Sequence, residues 1–317
     1  MNKDFAVLGL NASKDLVKEI CDILDCEPFP CAVKHFADGE IMVEIGATVR
    51  GKHVYIVQST CNPVSSNLME TLICIDACKR ASAGEITVIT PYFGYARQDR
   101  KAAPRQPITA KLVASLLEIA GANRVVTVDL HAAQIQGFFN IPIDDMTASS
   151  MISQYFRSKQ LENVTVVSPD HGGVVRARKL CDALGGVPLA IIDKRRLRPN
   201  EAQAMNIIGE VKGTDVIIID DMCDTAGTLM AGIQLLKDEG AKDIYFACTH
   251  GIFSGPAIER LSNPMIKEVV ITNTIPLPEE KKLDKITVLS IAPMLAKTIE
   301  YIETKKSMSI VYEMFQD

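Results

Sequence analysis

A chain of 317 residues, 47 % of them hydrophobic, is longer than one core usually organises and carries enough apolar material for two. Its formal net charge of −5 and pI near 5.7 exclude a general nucleic-acid binder, which would be basic. No apolar run reaches membrane-spanning length, Met1–Phe5 opens no leader-like pattern, and nine cysteines without a Cys-x-x-Cys pair suit reduced, buried thiols, so a cytoplasmic protein is expected.

In chain order, Phe36-Ala37-Asp38-Gly39-Glu40 comes first. Taken alone, its aromatic reads as core and its acids as a solvated turn. Val54–Val57 is a predicted strand, Asn67–Ala81 a helix and Ile86–Ile89 a second strand, ending in Pro91-Tyr92-Phe93-Gly94-Tyr95-Ala96-Arg97-Gln98-Asp99-Arg100-Lys101. Ala110–Ala120 reads as a helix, and the strand Val125–Val128 leads into Asp129-Leu130-His131-Ala132-Ala133-Gln134-Ile135-Gln136-Gly137-Phe138-Phe139. Val164–Val167 is followed by Ser168-Pro169-Asp170-His171-Gly172-Gly173, and Val187–Ile192 by the charged segment Asp193-Lys194-Arg195-Arg196-Leu197-Arg198-Pro199-Asn200. Val216–Ile219 and the helical pattern Leu229–Leu236 follow. Such alternation predicts α/β architecture with mainly parallel sheets, whose ligands bind at the C-terminal ends of strands.

Short strings repeat within the chain. Ile86 to Pro91 resembles Val164 to Pro169 at a separation of 78, from 86 to 164, and Val125 to Asp129 resembles Val216 to Asp220 at 91, from 125 to 216. Two similar domains, 1–145 and 146–317, would explain both, with the 13 extra residues placed in Lys194–Asn206, read as a long inserted loop. Positive charge gathers at Arg97–Arg105 and Lys194–Arg198, and basic loops on an acidic protein suit a small polyanion such as a nucleotide.

Val216-Ile217-Ile218-Ile219-Asp220-Asp221-Met222-Cys223-Asp224-Thr225-Ala226-Gly227-Thr228 is strand, then paired acids, then a small polar loop opening a helix. Loop amides and a helix N-terminus hold phosphate, and neighbouring carboxylates suit vicinal hydroxyls, so the pattern reads as a sugar-phosphate site. An ordinary strand-to-helix turn capped by Asp224 or Thr225 is the competing reading. Asp129 and His131, two apart after a strand, can face a divalent cation or a phosphate.

The doubled acid with Asp-Thr-x-Gly-Thr resembles the ribose-phosphate signature of type I phosphoribosyltransferase folds. With the Phe36–Glu40, Pro91–Lys101, Asp129–Phe139 and Asp193–Asn200 blocks in order, essentially the whole chain resembles the ribose-phosphate diphosphokinases, also called phosphoribosyl pyrophosphate synthetases. The resemblance implies two related phosphoribosyltransferase-like α/β domains, with residues after about 290 packing back on the first. It implies transfer of the diphosphoryl group of ATP to the C1 hydroxyl of ribose 5-phosphate.

By the same resemblance, Phe36, Asp38, Gly39 and Glu40 contact adenine across a subunit boundary, and Arg97, Gln98, Asp99 and Arg100 bind the nucleotide. Asp220, Asp221, Asp224, Thr225, Ala226, Gly227, Thr228 and Arg196 bind ribose 5-phosphate, and Lys194 and Arg196 are the catalytic cations on a flexible loop. His131 and Asp170 match the site of Mg2+, with His131 alternatively a donor to the triphosphate. The family assembles as homohexamers, and many members respond to phosphate and ADP at a second site. Arg50, Arg80, Ser82, Arg105, Ser307 and Ser309 match that region, but Ala103-Pro104-Arg105-Gln106 stands where Arg-Ser-Arg-Glu is frequent, so weakened regulation is expected. A nucleobase phosphoribosyltransferase would share only the sugar-phosphate motif, and a non-catalytic relative could have lost the cations that this chain keeps. No nucleic-acid or membrane partner is expected.

Overall fold

Runs of β-branched residues, buried on both faces, build the centre of each sheet, as a parallel sheet covered by helices requires. The computed structural model describes residues 4–195 and 204–313. They form two compact units. One extends to Thr147 and includes Thr274–Pro276 and Ser290–Tyr312; the other comprises Ala148–Asn273 and Leu277–Leu289.

The first unit contains β1 (Phe5–Gly9), α1 (Lys14–Leu24), β2 (Cys31–His35), β3 (Ile41–Ile45), β4 (His53–Val57), α2 (Val64–Arg80), β5 (Glu85–Thr90), α3 (Thr109–Ala120), β6 (Arg124–Val128) and β7 (Ile143–Met146). Five strands form a parallel sheet in the order β1-β4-β5-β6-β7. Leu8, Ile56, Ile75, Val88, Leu117 and Val125 centre its core. β2 and β3 form a separate antiparallel hairpin, and Val33 and Val43 pin one of its faces to that core.

The second unit contains α4 (Ser149–Ser158), β8 (Val164–Ser168), α5 (Val174–Ala183), β9 (Leu189–Arg195), β10 (Ala204–Ile208), β11 (Asp215–Cys223), α6 (Gly227–Asp238), β12 (Ile244–Gly251), α7 (Ala257–Leu261), β13 (Glu268–Thr272) and β14 (Ile286–Leu289). Its sheet runs β10-β9-β8-β11-β12-β13-β14, parallel throughout except for the β9–β10 pair. The last long helix, α8 (Ala292–Glu303), packs on α1 in the first unit, where Glu303 accepts a hydrogen bond from Tyr55 Oη at 2.7 Å. Among the described residues no helix is long and apolar enough to cross a membrane. All nine cysteines are free thiols, seven of them buried.

Lys194–Asn206, expected as one loop, is strand at both described ends. Asp193, Lys194 and Arg195 pair antiparallel with Asn206, Met205 and Ala204. The physical reason is an alternation hidden among charges: Met205 and Ile207 lie two apart and both pack on the second core. Residues 196–203, Arg196 among them, lie outside the described residues.

Candidate active site

β11 runs beyond its expected end at Ile219 because Asp220, Met222 and Cys223 stay in register with Cys248, His250 and Gly251 of β12. The paired acids therefore sit within the rigid strand. Arg176, on the first turn of α5, places Nη1 3.2 Å from Asp220 Oδ1 and 3.8 Å from Asp221 Oδ1. Burial, and then the charge of Asp221, pushes the Asp220 carboxyl up to about 7 against the opposing pull of Arg176. An acid so placed gains from hydrogen-bond donors such as sugar hydroxyls.

After Cys223 the chain has only Asp224, Thr225 and Ala226 before α6 begins at Gly227. Ala226 turns into the helix at φ 58°, a left-handed conformation that is uncommon for alanine. Arg260 Nη1 donates to Thr225 O at 2.7 Å, and the Ser254 amide donates to Asp224 O at 3.0 Å, so two long-range bonds pin the loop. A Cβ on Gly227 would stand 3.1 Å from Arg260 Nη1; the glycine leaves space for the guanidinium. The first amides of α6 lack intrahelical acceptors and, with the dipole of a 12-residue helix, favour an anion here.

The turn after β8 is similarly tied. Ser168 Oγ donates to Asp170 O at 2.7 Å, and the Gly173 amide donates to Asp170 Oδ1 at 3.0 Å. A Cβ on Gly173 would meet Ser168 Oγ at 2.9 Å, so the turn needs glycine. His171 Nε2 lies 2.9 Å from Asp193 Oδ1, joining this turn to β9 one residue before Lys194, whose backbone pairs with Met205.

In the first unit, Arg97–Arg100 follow β5 and His131 follows β6, both at the C-terminal edge of the parallel sheet. Gln98 Oε1 accepts from Thr109 Oγ1 at 2.5 Å, and Gln134 Nε2 donates to Asp99 Oδ2 at 2.5 Å, linking the two loops. Asp145 accepts the Leu130 amide at 3.1 Å, and burial pushes its carboxyl up to about 7. Phe36–Glu40 stands apart as the exposed tip of the β2–β3 hairpin. The Phe36 amide donates to Glu40 O at 2.8 Å, the Glu40 amide to Asp38 Oδ1 at 3.1 Å, and Gly39 has φ 94°.

Elsewhere in this unit, Arg50 Nη1 donates to Ser82 Oγ at 3.2 Å and Ser307 Oγ lies 2.7 Å from Ser309 Oγ. Arg80 instead bonds Asp76 at 2.7 Å on its own helix. Sequence reasoning missed Arg176, Arg260 and Asp145. No local signal in the sequence distinguishes Arg176 or Arg260 from other charged residues. Among the described residues no group of three or more His, Cys, Asp or Glu side chains forms a metal cage.

Residues 5–121 match the family model described as the N-terminal domain of ribose phosphate pyrophosphokinase, and residues 189–313 match that of a phosphoribosyl synthetase-associated domain. A ribose-phosphate pyrophosphokinase from Bacillus caldolyticus is 55 % identical over 307 residues, covering 97 % of each chain. One from Bacillus subtilis is 51 % identical over 311 residues and 98 % of each chain. The crystal structure of phosphoribosylpyrophosphate synthetase from Mycobacterium smegmatis superposes with a TM-score of 0.91 at 44 % identity, covering 96 % of this chain and 100 % of that one.

Proposed function

The chain belongs to the ribose-phosphate pyrophosphokinase family, and we propose that it transfers the diphosphoryl group of ATP to ribose 5-phosphate with the residues described above. The C1 hydroxyl oxygen bonds to the β-phosphorus. The bond from that phosphorus to the α,β-bridging oxygen breaks, AMP leaves with the bridging oxygen, and the hydroxyl proton is released. The products are 5-phosphoribosyl 1-diphosphate and AMP.

The observation that carries this reading is the Arg176-braced acid pair beside the short loop that opens α6. Asp220 and Asp221 accept hydrogen bonds from the ribose hydroxyls. The amides from Asp224 to Thr228, with the Thr225 and Thr228 hydroxyls, hold the 5-phosphate, and Arg260 fixes the loop through Thr225 O. Holding the hydroxyl in line with the β-phosphorus supplies the entropic part of the acceleration. Lys194 and Arg196 offset the charge that develops on the transferred group.

For the nucleotide we assign Arg97, Gln98, Asp99 and Arg100 to the phosphates and sugar. Phe36, Asp38, Gly39 and Glu40 belong to the adenine of a neighbouring subunit, a role suited to an exposed hairpin tip. That assignment requires self-association, and we propose a homohexamer built from three dimers. Asp170 suits Mg2+: it gives one carboxylate oxygen to the Gly173 amide and has a second to offer an ion. Mg2+ prefers to keep waters and substrate phosphates and takes only one or two carboxylates. When bound it would neutralise triphosphate charge; Asp170 would hold it, with His131 as a second ligand or as a donor to the phosphates. Phosphate and ADP are proposed effectors at the surface of Arg50, Arg80, Ser82, Arg105, Ser307 and Ser309, weakly held because Ala103 and Pro104 supply neither a cation nor a hydroxyl.

AMP formation from ATP, dependent on ribose 5-phosphate and Mg2+ with no nucleobase present, tests the activity. A requirement for a nucleobase, or no AMP at all, would exclude it.

A further inference from the structure

The hairpin that bears the adenine turn has a polar fastening to its unit next to that turn. Residues 31, 33 and 35 of β2 share a face, because side chains alternate along a strand. Cys31 and Val33 pack from that face on the first core. At the next position the row ends in His35, directly before Phe36. His35 Nε2 lies 3.2 Å from Glu70 Oε1, and that carboxylate, on α2, is only 2 % exposed while His35 is 45 % exposed.

Glu70 is otherwise bound by neutral donors. Asn11 Nδ2 reaches Oε1 at 2.8 Å, Gln58 Nε2 reaches Oε2 at 2.8 Å, and the Asn11 amide lies 3.4 Å from Oε2. Gln58 Nε2 also lies 3.2 Å from Asn67 Oδ1, so the carboxylate is immobilised from behind. A cavity of about 330 Å³, lined by Asn11, His35, Ser66, Asn67, Glu70 and Pro276 among others, leaves the imidazole unpacked on one side. The contact with Glu70 ties the ring to α2. The turn itself is closed by its own hydrogen bonds.

We propose that His35 and Glu70 are positioning residues for ATP: they fix the angle at which Phe36–Glu40 is presented to the nucleotide. The proposal rests on the assignment of that turn to adenine. A base is recognised by stacking and by hydrogen bonds of fixed direction, so a loose turn should weaken nucleotide binding without altering phosphoryl chemistry.

The test is steady-state kinetics on the full-length enzyme. His35→Ala should raise the KM for ATP about 5- to 10-fold, the scale of one lost hydrogen bond to a charged group. It should leave kcat and the KM for ribose 5-phosphate within about twofold, a split that a general loss of stability would not produce. His35→Gln, which restores a donor of similar reach, should recover the ATP KM to within about twofold. Should His35→Ala lose its fold, His35→Met, of similar bulk and without a donor, is expected to show the same split. In a Phe36→Ala background, adding His35→Ala should have no further effect. If Phe36→Ala itself leaves the ATP KM unchanged, the adenine assignment fails and the positioning role with it. If Phe36→Ala raises that KM but His35→Ala does not, or His35→Gln fails to rescue, the positioning role alone is overturned.

Discussion

Arg176 holds Asp220 through Nη1 at 3.2 Å while burial and then the adjacent Asp221 push the same carboxyl up to about 7. The guanidinium therefore offsets only part of the cost of placing two acids side by side within a strand. Replacing Arg176 with Met would remove that compensation and keep the bulk of the side chain. We expect Arg176→Met to lower thermal stability measurably at pH 8 and to weaken ribose 5-phosphate binding about tenfold, while ATP binding is unaffected. Differential scanning fluorimetry and titration calorimetry with ribose 5-phosphate check the two effects separately.

The same carboxyl sets a pH dependence of stability. Unfolded aspartate titrates near 3.9, whereas folded Asp220 titrates at about 7. The folded state thus keeps a proton that the unfolded chain has released. The contribution is fully present below about pH 4, falls as pH rises towards 7, and is flat above it. Asp220→Asn removes this slope. Relative to the parent, the variant should gain stability between pH 5 and pH 8, measured by denaturant unfolding at both. Asp145, pushed up in the same direction, is present in both proteins and cancels in the comparison. A difference that shrinks with rising pH would contradict the assignment.

Lys194 stands next to Asp193, whose carboxylate meets His171 at 2.9 Å. Lys194→Ala should leave the fold and oligomer intact and lower kcat about 100- to 1,000-fold, the usual cost of losing one preorganised charge at a transition state. ATP binding should change far less. Near-normal turnover would remove Lys194 from the catalytic role.

Gly227 offers a gentler test of the phosphate loop. Gly227→Ala places a Cβ 3.1 Å from Arg260 Nη1, and the flexible arginine must retreat from Thr225 O. The protein should fold normally, because the first turn of a helix tolerates alanine. The KM for ribose 5-phosphate should rise roughly fivefold, the equivalent of about 1 kcal/mol for one hydrogen bond. Arg260→Met should give a similar increase, and the double variant little more, since both act through one contact.

If the Phe36–Glu40 turn serves a neighbouring subunit, two inactive proteins should complement each other. A Phe36→Ala/Glu40→Ala protein mixed with Lys194→Ala should regain part of the parent activity through hybrid sites. Subunit exchange has to be verified by mass; exchange without recovered activity argues for sites completed within one chain.

The proposed regulation rests on the surface around Arg50. In the proposed effector site, Ala103 and Pro104 supply neither a cation nor a hydroxyl beside Arg105. Activation should require phosphate about tenfold higher than a site with one more charge-assisted contact would. ADP inhibition at saturating ATP should be weak. Activity measured against phosphate at fixed free Mg2+ decides this, and tight activation with strong residual ADP inhibition would refute it.

The sequence alone determined the α/β class, the parallel strands and the loops at their ends. Strand runs such as Val216–Ile219, and the small polar stretch Asp224–Thr228 before a helix, are local signals written in neighbouring residues. It also supplied the paired acids and the small loop residues of the sugar-phosphate motif. Tertiary structure decided how they are braced. Arg176 comes to Asp220 across 44 positions, Arg260 to Thr225 across 35, and His35 to Glu70 across 35. None of these pairs has a periodicity or spacing that announces it, because each depends on which elements the topology makes neighbours. The extension of β11 to Cys223 has the same origin: its last residues are strand because β12 lies alongside to accept and donate their hydrogen bonds. At Lys194–Asn206 the charges suggested a loop, and the pairing of β9 with β10 prevailed because burying Met205 and Ile207 on the second core repays the ordering of both strands.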